Sequence, residues 1–400
     1  MPNRPMEKKL TRFNLYSAEF DANPFDTYKE LLDNHPCFWS EDAQKWVLTR
    51  HEDVTNALQD WQTYSSAKGN LVDEFPGRAG NTLGTMDPPR HDEIRAIIQS
   101  VFMKRNLEHL ITPIKDLART AIKNNIEGRK VFDFSQDFAS ELTYKVLALL
   151  LGLPESGYTD EVKQNAELMV QTDPATRTKG AEHLKAFEWM KDYAAEVVEL
   201  RSREPGTDLV SQLISAELDG QKLDLIQVQM TITTLLMAGI ESLGGMLKVF
   251  GFNLANFPEQ RQKIIDDMTL LPNALEESMR YNTSAQRFRR CLTKDVTLHG
   301  KTMKAGDFVI LAYGAANRDE RKYENPDVYD VTRKTKGHVG MGGGTHTCLG
   351  NSVARLAIKA AMEVFLEEIP QFSLAEPVER LDWVASSNFR SPVKLLLIKD

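Results

Sequence analysis

The residues of this chain best suited to chemistry lie in one stretch, Met341-Gly-Gly-Gly-Thr-His-Thr-Cys-Leu-Gly350, which runs straight into a helical pattern. Gly342, Gly343, Gly344 and Gly350 carry no Cβ, so the backbone here can approach a flat ligand closely. Cys348 falls just before the helix begins. Unpaired N–H groups and the positive end of the helix dipole favour a thiolate there. A thiolate is a nucleophile or a metal ligand, and it binds iron strongly. A lone cysteine also serves as a small core residue, so the residues around it must decide.

Four further groups have types and spacings that fit a role. Ala238-Gly-Ile-Glu-Ser242 sets an acid beside a hydroxyl, a pair that can deliver protons. Gly239, Gly244 and Gly245 each cost about 1 kcal/mol in a helix interior relative to Ala, which calls for an explanation. Glu277 and Arg280 are three apart and share a helix face. His91 and Arg95 are four apart after Asp87-Pro-Pro89, a spacing suited to a ligand carboxylate. Taken singly, each fits a solvated surface charge or plain packing.

The elements that position these residues are legible in outline. Trp46–Thr49 reads as a strand, Glu52–Leu58 as a short helix, and residues 64–89, rich in Gly, Pro and Asn, as a long loop of the kind that often has a function. From Pro89 to about residue 256 the period is helical. Asp224–Phe257 is the longest helix expected, stopped by Pro258. Val296–Leu298, the turn His299-Gly300 and Phe308–Leu311 fit a hairpin. Helix is expected again over 351–368 and strand over 393–398. The sum is a mainly α chain with small β-sheets at one side.

The chain has 400 residues, a net charge of -8, 42% hydrophobic and 26% charged residues, an ordinary globular composition too acidic for a nucleic-acid binder. The N-terminal MPNRPMEKKLTRFNLY contains no apolar run for a signal or anchor, and no stretch is read as approaching a membrane span, so a cytoplasmic protein is expected. Cys37, Cys291 and Cys348 are too few and too uneven for a disulfide framework. No fixed repeat is visible.

The cysteine stretch resembles the signature of the cytochrome P450 superfamily, Phe-Gly-x-Gly-x-His-x-Cys-x-Gly, with Met341 where Phe is usual. Residues 238–242 resemble the family's oxygen-activation motif Ala-Gly-x-Asp/Glu-Thr, with Ser242 in place of Thr. Glu277–Arg280 resembles its Glu-x-x-Arg. The likeness spans about residues 20–398, with 1–19 as a lead-in to a single domain of residues 1–400. It implies a triangular-prism fold with haem b buried between the long central helix and the cysteine loop. Cys348 would be the axial iron ligand. His91, Arg95, Arg290 and His346 would hold the haem carboxylates, with Met341 and Gly342 close by. Gly239, Glu241 and Ser242 would serve oxygen activation where the helix opens locally. Glu277 and Arg280 would brace the cysteine loop through Asn317, Arg318 or nearby residues.

The same resemblance implies insertion of one atom of dioxygen into a small organic substrate. Electrons would come from a separate ferredoxin and its NAD(P)H-dependent reductase, docking near Arg333, Lys334 and Lys336. Residues 333–340 and 388–392 look like those of bacterial members acting on small aromatics. The expected reaction is therefore hydroxylation or O-demethylation of a phenol, methoxyarene or benzoate, with Ala238, Ile240, Phe288 and Phe389 around it. A terpenoid or fatty-acid hydroxylase, a peroxygenase driven by hydrogen peroxide (which Ser242 would permit) and a non-catalytic haem sensor are the alternatives. No membrane association and a monomeric state are expected.

Overall fold

Asp224 starts the longest helix, Leu225–Asn256, through a reciprocal cap: its Oδ1 accepts from the Gln227 N–H at 2.7 Å, and Gln227 Oε1 accepts from the Asp224 N–H at 2.9 Å. The helix ends at Phe257 because Pro258 lacks an N–H to continue it and opens the next helix, Pro258–Asp266. Its 32 residues span roughly 48 Å. Contrary to expectation, it is long and apolar enough by composition to cross a membrane. Its apolar side chains are mostly buried against neighbouring helices, as in a core helix.

The glycines of this central helix are explained by packing. A Cβ on Gly239 would meet Leu147 at 2.8 Å, one on Gly245 would meet Ser284 Oγ, and one on Gly251 would meet the Phe134 ring. Leu147 belongs to the helix Glu141–Leu151 and Phe134 to the π-helical turn Phe134–Ser140, which lie against the central helix. The backbone keeps its helical course throughout Leu225–Asn256. Close approach of neighbouring elements accounts for the cost of these residues.

The computed structural model describes residues 14–75, 77–102, 107–153, 159–173, 175–176 and 178–399; most of the N-terminal lead-in lies outside them. Helices dominate, and the largest buried cluster runs through the central helix, Ala181–Arg203 and Asn351–Glu368. The five-stranded sheet has the order Cys37–Ser40, Lys45–Leu48, Phe308–Ala312, Arg287–Leu292, Tyr64–Ser65. Val309 pairs in parallel with Trp46 and antiparallel with Arg290, so the strand bearing Phe288 and Arg290 lies inside the sheet, between Phe308–Ala312 and Tyr64–Ser65. A second sheet joins Phe372–Leu374, Leu396–Lys399 and Val131–Asp133.

Two local expectations are corrected. Val296–Leu298 pairs with Lys301–Met303 and not with residues 308–311. His299 and Gly300 both have positive φ, which makes the two-residue turn that reverses the chain at once, and the second run is released to the five-stranded sheet. The C-terminal strand begins at Leu396 rather than 393, because the Val393 N–H is already bonded to the carbonyl of Asp382. Residues 64–89 are irregular apart from the short strand Tyr64–Ser65 and one 3-10 turn, Leu83–Thr85.

Candidate active site

One cavity of about 310 Å³ opens between the central helix, the helix Arg90–Val101 and the cysteine loop. Most side chains on its wall are apolar. Ala238, Gly239 and Ser242 line it from the central helix, and Met341, Gly342, His346 and Cys348 from the loop. Phe288 and Phe389, edge to face at 5.8 Å, line it from the sheet and the C-terminal segment. His91, Arg95 and Arg290 complete the list of expected residues at this wall.

The loop holds Cys348 by short local bonds. The Cys348 N–H donates to Met341 O at 2.9 Å, and Arg95 Nη2 donates to Thr347 O at 2.7 Å. Gly342 and Gly344 take positive φ, and a Cβ on Gly344 would strike the Leu58 carbonyl, so that position requires glycine. Asn317 ties the loop to the helix Leu271–Tyr281: its Oδ1 accepts from the Val339 N–H at 2.8 Å, and its Nδ2 donates to Met279 O at 3.2 Å. The helix start alone does not make a thiolate here. Burial pushes the Cys348 thiol up and outweighs the Gly350 N–H and the charges of Arg95 and Arg355, which pull it down. A bound metal cation would reverse that balance, since ligation deprotonates a thiol.

The four donors suit a group bearing carboxylates. His91 and His346 are 4.4 Å apart between ring centres, and Nε2 of each is buried without a partner. Burial first, then the charges of Arg290, His91 and Arg95, push His346 down to about 2. A wall of cations and donors with orphaned nitrogens is costly unless an anion meets it. Haem has two carboxylates and an iron for the thiol, so the residues fit that group.

On the central helix the expected acid and hydroxyl point apart, because neighbours in sequence lie 100° apart around a helix. Ser242 faces the cavity and donates its hydroxyl to Ala238 O. Glu241 is buried and is not on the cavity wall; its surroundings include Gln171, Glu167 and Lys248. Burial pushes its carboxyl up to about 6, with Lys248 opposing and Glu167 adding to the rise, and Oε1 has no partner. Ile240, expected in the pocket, is core and does not line it.

Behind the loop, Glu277 and Arg280 are fully buried and meet bidentately, at 2.7 and 2.8 Å. Arg280 also donates to the carbonyls of Asn317, Pro326 and Val328, and Glu277 Oε1 accepts from the Asp330 N–H. Arg318 stands outside this pair and donates to Tyr281 O and Asp327. Arg333, expected at a docking surface, is corrected: its Nε reaches Glu277 at 3.2 Å and its other nitrogens cap the carbonyls of Glu324, Asn325 and Val328. Lys334 and Lys336 remain exposed.

Sequence reasoning missed a second tie. Glu276 accepts from Arg355, about one turn into the helix that follows Cys348, and lies 2.9 Å from His338 Nε2. Burial pushes the Glu276 carboxyl up, but the hydrogen bonds and charges of His338 and Arg355 outweigh it and hold it at about 2. A depressed carboxylate adds stability that is complete above its unfolded value, near 4.5, and is lost as pH falls toward 2. The difference in unfolding free energy between the parent protein and Glu276→Gln should therefore be level above pH 4.5 and shrink below it. A difference that stays constant down to pH 3 would remove the carboxylate from this role.

Comparison with known proteins extends these observations over the chain. A family model described as Cytochrome P450 matches residues 253–377. Nocardicin C N-oxygenase of Nocardia uniformis subsp. tsuyamanensis is 31% identical, over 88% of each chain. Mycinamicin IV hydroxylase/epoxidase of Micromonospora griseorubida is 30% identical, over 96% of this chain and 99% of the relative. The solved structure of the bacillaene polyketide synthase cytochrome P450 PksS from Bacillus subtilis 168 superposes with a TM-score of 0.89 at 26% identity, covering 97% of this chain and all of that one. Likeness of this extent, far beyond the cysteine loop, makes this chain a member of the cytochrome P450 superfamily, a monooxygenase with haem b bound through a thiolate.

Proposed function

We propose that this chain hydroxylates or O-demethylates a small aromatic compound, with Cys348 as the iron ligand. The observation that carries the ligation is the placement of Cys348 on one cavity wall with the orphaned nitrogens of His91 and His346. For the substrate, the support is the aromatic pair Phe288–Phe389 on the cavity wall. Relatives named for nocardicin C and mycinamicin IV differ in substrate, so kinship fixes the reaction type and leaves the substrate to the pocket.

When bound, haem supplies dioxygen activation, and its thiolate ligand favours O–O cleavage. The chain supplies the rest. His91, Arg95, Arg290 and His346 bind the haem carboxylates, and Met341 and Gly342 pack beside the sulfur. Ala238, Phe288 and Phe389 exclude water and orient the ring of the substrate. Ser242 Oγ holds a proton at the cavity wall. Glu241, whose carboxyl burial pushes up to about 6, would resupply that proton only after turning toward the wall, because the two side chains point apart. Gly239 lets Leu147 close the wall. A ferredoxin docks on the face with Lys334 and Lys336 and is reduced by an NAD(P)H-dependent reductase. The protein works as one cytoplasmic, monomeric catalytic domain.

A peroxygenase is the second reading, favoured by one observation: the acid of the pair does not reach the cavity wall. Titration of the purified holoenzyme with methoxyarenes, phenols, benzoates, terpenoids and fatty acids tests the substrate. Small aromatics should displace the iron-bound water and shift the Soret band, followed by product only with NAD(P)H and redox proteins. A shift with terpenoids or fatty acids alone would overturn the aromatic reading. Faster product formation with hydrogen peroxide alone would establish the second.

A further inference from the structure

The long loop at residues 64–89 places an arginine in the wall of this apolar cavity. Arg78 is 3% exposed and lines the cavity, as do Asn70 and Gly84. Its side chain hydrogen-bonds through Nη1, at 2.9 Å to Asn70 Oδ1 and 2.8 and 2.7 Å to the two oxygens of Glu74. Nε of Arg78 is buried and has no partner. A buried guanidinium N–H without an acceptor costs about as much as a lost hydrogen bond to a charged group, roughly 1.5–3 kcal/mol. Such a group is kept where something else supplies the acceptor.

Glu74 does not meet that need. Its oxygens already accept the N–H groups of Asn70, Leu71 and Phe75, at 2.9, 3.2 and 3.0 Å, besides Nη1. Glu74 therefore fixes the guanidinium by one corner and leaves the rest of the fork for another acceptor. The charges around it are unbalanced in the same sense. Arg289 and Lys179 feel both Asp73 and Glu74, so with Arg78 three cations stand against two carboxylates. Lys179 Nζ donates to the carbonyls of Asp73 and Met169 and lies 4.1 Å from the centre of the Phe75 ring, so it takes no carboxylate as a direct partner among these bonds. Gly84 keeps space beside the Asn70 amide, since a Cβ there would come within 3.0 Å of Nδ2.

We propose that Arg78 is an anchor for a carboxylate on the substrate, with the Asn70 amide as a second donor, so that the compound oxidised is an aromatic acid. The planar fork of arginine matches a carboxylate. An acidic substrate would be held by its charged end at Arg78 while the apolar remainder lies against Phe288 and Phe389. The inference deepens the aromatic reading given above and rests on it. It also accounts for Nε of Arg78, which a neutral substrate would leave unpaired.

The test compares matched ligands on the holoenzyme by Soret titration: 4-methoxybenzoate, 4-methoxybenzamide and anisole. On the unaltered protein the acid should bind at least about ten-fold more tightly than the amide, the minimum for a charge-assisted bond of 1.4 kcal/mol. In Arg78→Gln the acid should lose that advantage and the amide should hold its affinity, with haem content unchanged. Because Arg78→Gln leaves Glu74 buried and unpaired, the double variant Glu74→Gln/Arg78→Gln serves if the single one does not fold. Equal binding of acid and amide to the unaltered protein would overturn the anchor while leaving the aromatic reading standing. Loss of haem from a folded variant would overturn it too, by assigning Arg78 to a haem carboxylate. Tight binding of octanoate, but of none of the aromatics, with loss in the variant would uphold the anchor and defeat the aromatic reading.

Discussion

Cys348→Ala should give a protein without the long-wavelength band of the reduced, carbon-monoxide-treated form, and with oxygenation reduced by far more than the roughly 10–100-fold that loss of an outer-shell partner costs. We propose the sulfur as the iron ligand, and among the described residues of the cavity wall no second cysteine stands beside it. His346 is the nearest alternative in sequence, but its imidazole belongs to the donor wall with His91 at 4.4 Å. Cys37 and Cys291 are buried in or beside the five-stranded sheet, and burial pushes both thiols up. The comparison needs a fold control, because an emptied haem site also loosens its walls; circular dichroism of the variant supplies it. A folded variant that keeps the band would refute the assignment of Cys348.

The second large effect is structural. Glu277→Ala should destabilise the protein by about 3–5 kcal/mol, because it leaves the fully buried guanidinium of Arg280 with carbonyl acceptors and no counter-charge. Against the ~5–15 kcal/mol by which domains are usually stable, that is enough to leave much of the chain unfolded at growth temperature. Arg333 would lose its anchor as well, so the segment of residues 324–333 should become sensitive to protease. The double variant Glu277→Leu/Arg280→Met should recover part of the loss, since removing both charges leaves no charge unpaired. Denaturant midpoints of the three proteins decide it. A loss below 1 kcal/mol in Glu277→Ala would mean that the pair is not the brace of the loop.

What could be read from sequence was mostly what is local. The ends of the central helix follow from Asp224, Gln227 and Pro258, and those of Asn351–Glu368 from the glycine loop before it and Pro370 after it. The same local signals failed where a distant partner decides. The run at 308–311 reads as the partner of its sequence neighbour, yet it pairs with Trp46, Val47 and Leu48, more than 260 residues away. Glu241 and Ser242 look like one device in sequence, but the helix turns them to different sides. Arg333 reads as a loop charge until Glu277, 56 residues earlier, appears beside it. Glu276–Arg355 and Arg78–Asn70 leave no periodic signal, because the first joins two helices at positions 79 residues apart and the second lies within an irregular loop. Cys348, by contrast, was legible because its loop packs backbone bonds and glycines into ten consecutive residues.

The close packing of the central helix bears on how such a protein can change over generations. At positions 239, 245 and 251, which point to three different sides of the helix, even one added methyl group collides with a neighbouring element, so these positions admit little variation. New specificity must then be acquired at other positions of the cavity wall, Thr231, Thr234, Ala238 and Ser242, and from the irregular loop bearing Asn70 and Arg78. A library of variants restricted to those positions should yield altered preference far more often than one spread along the whole helix.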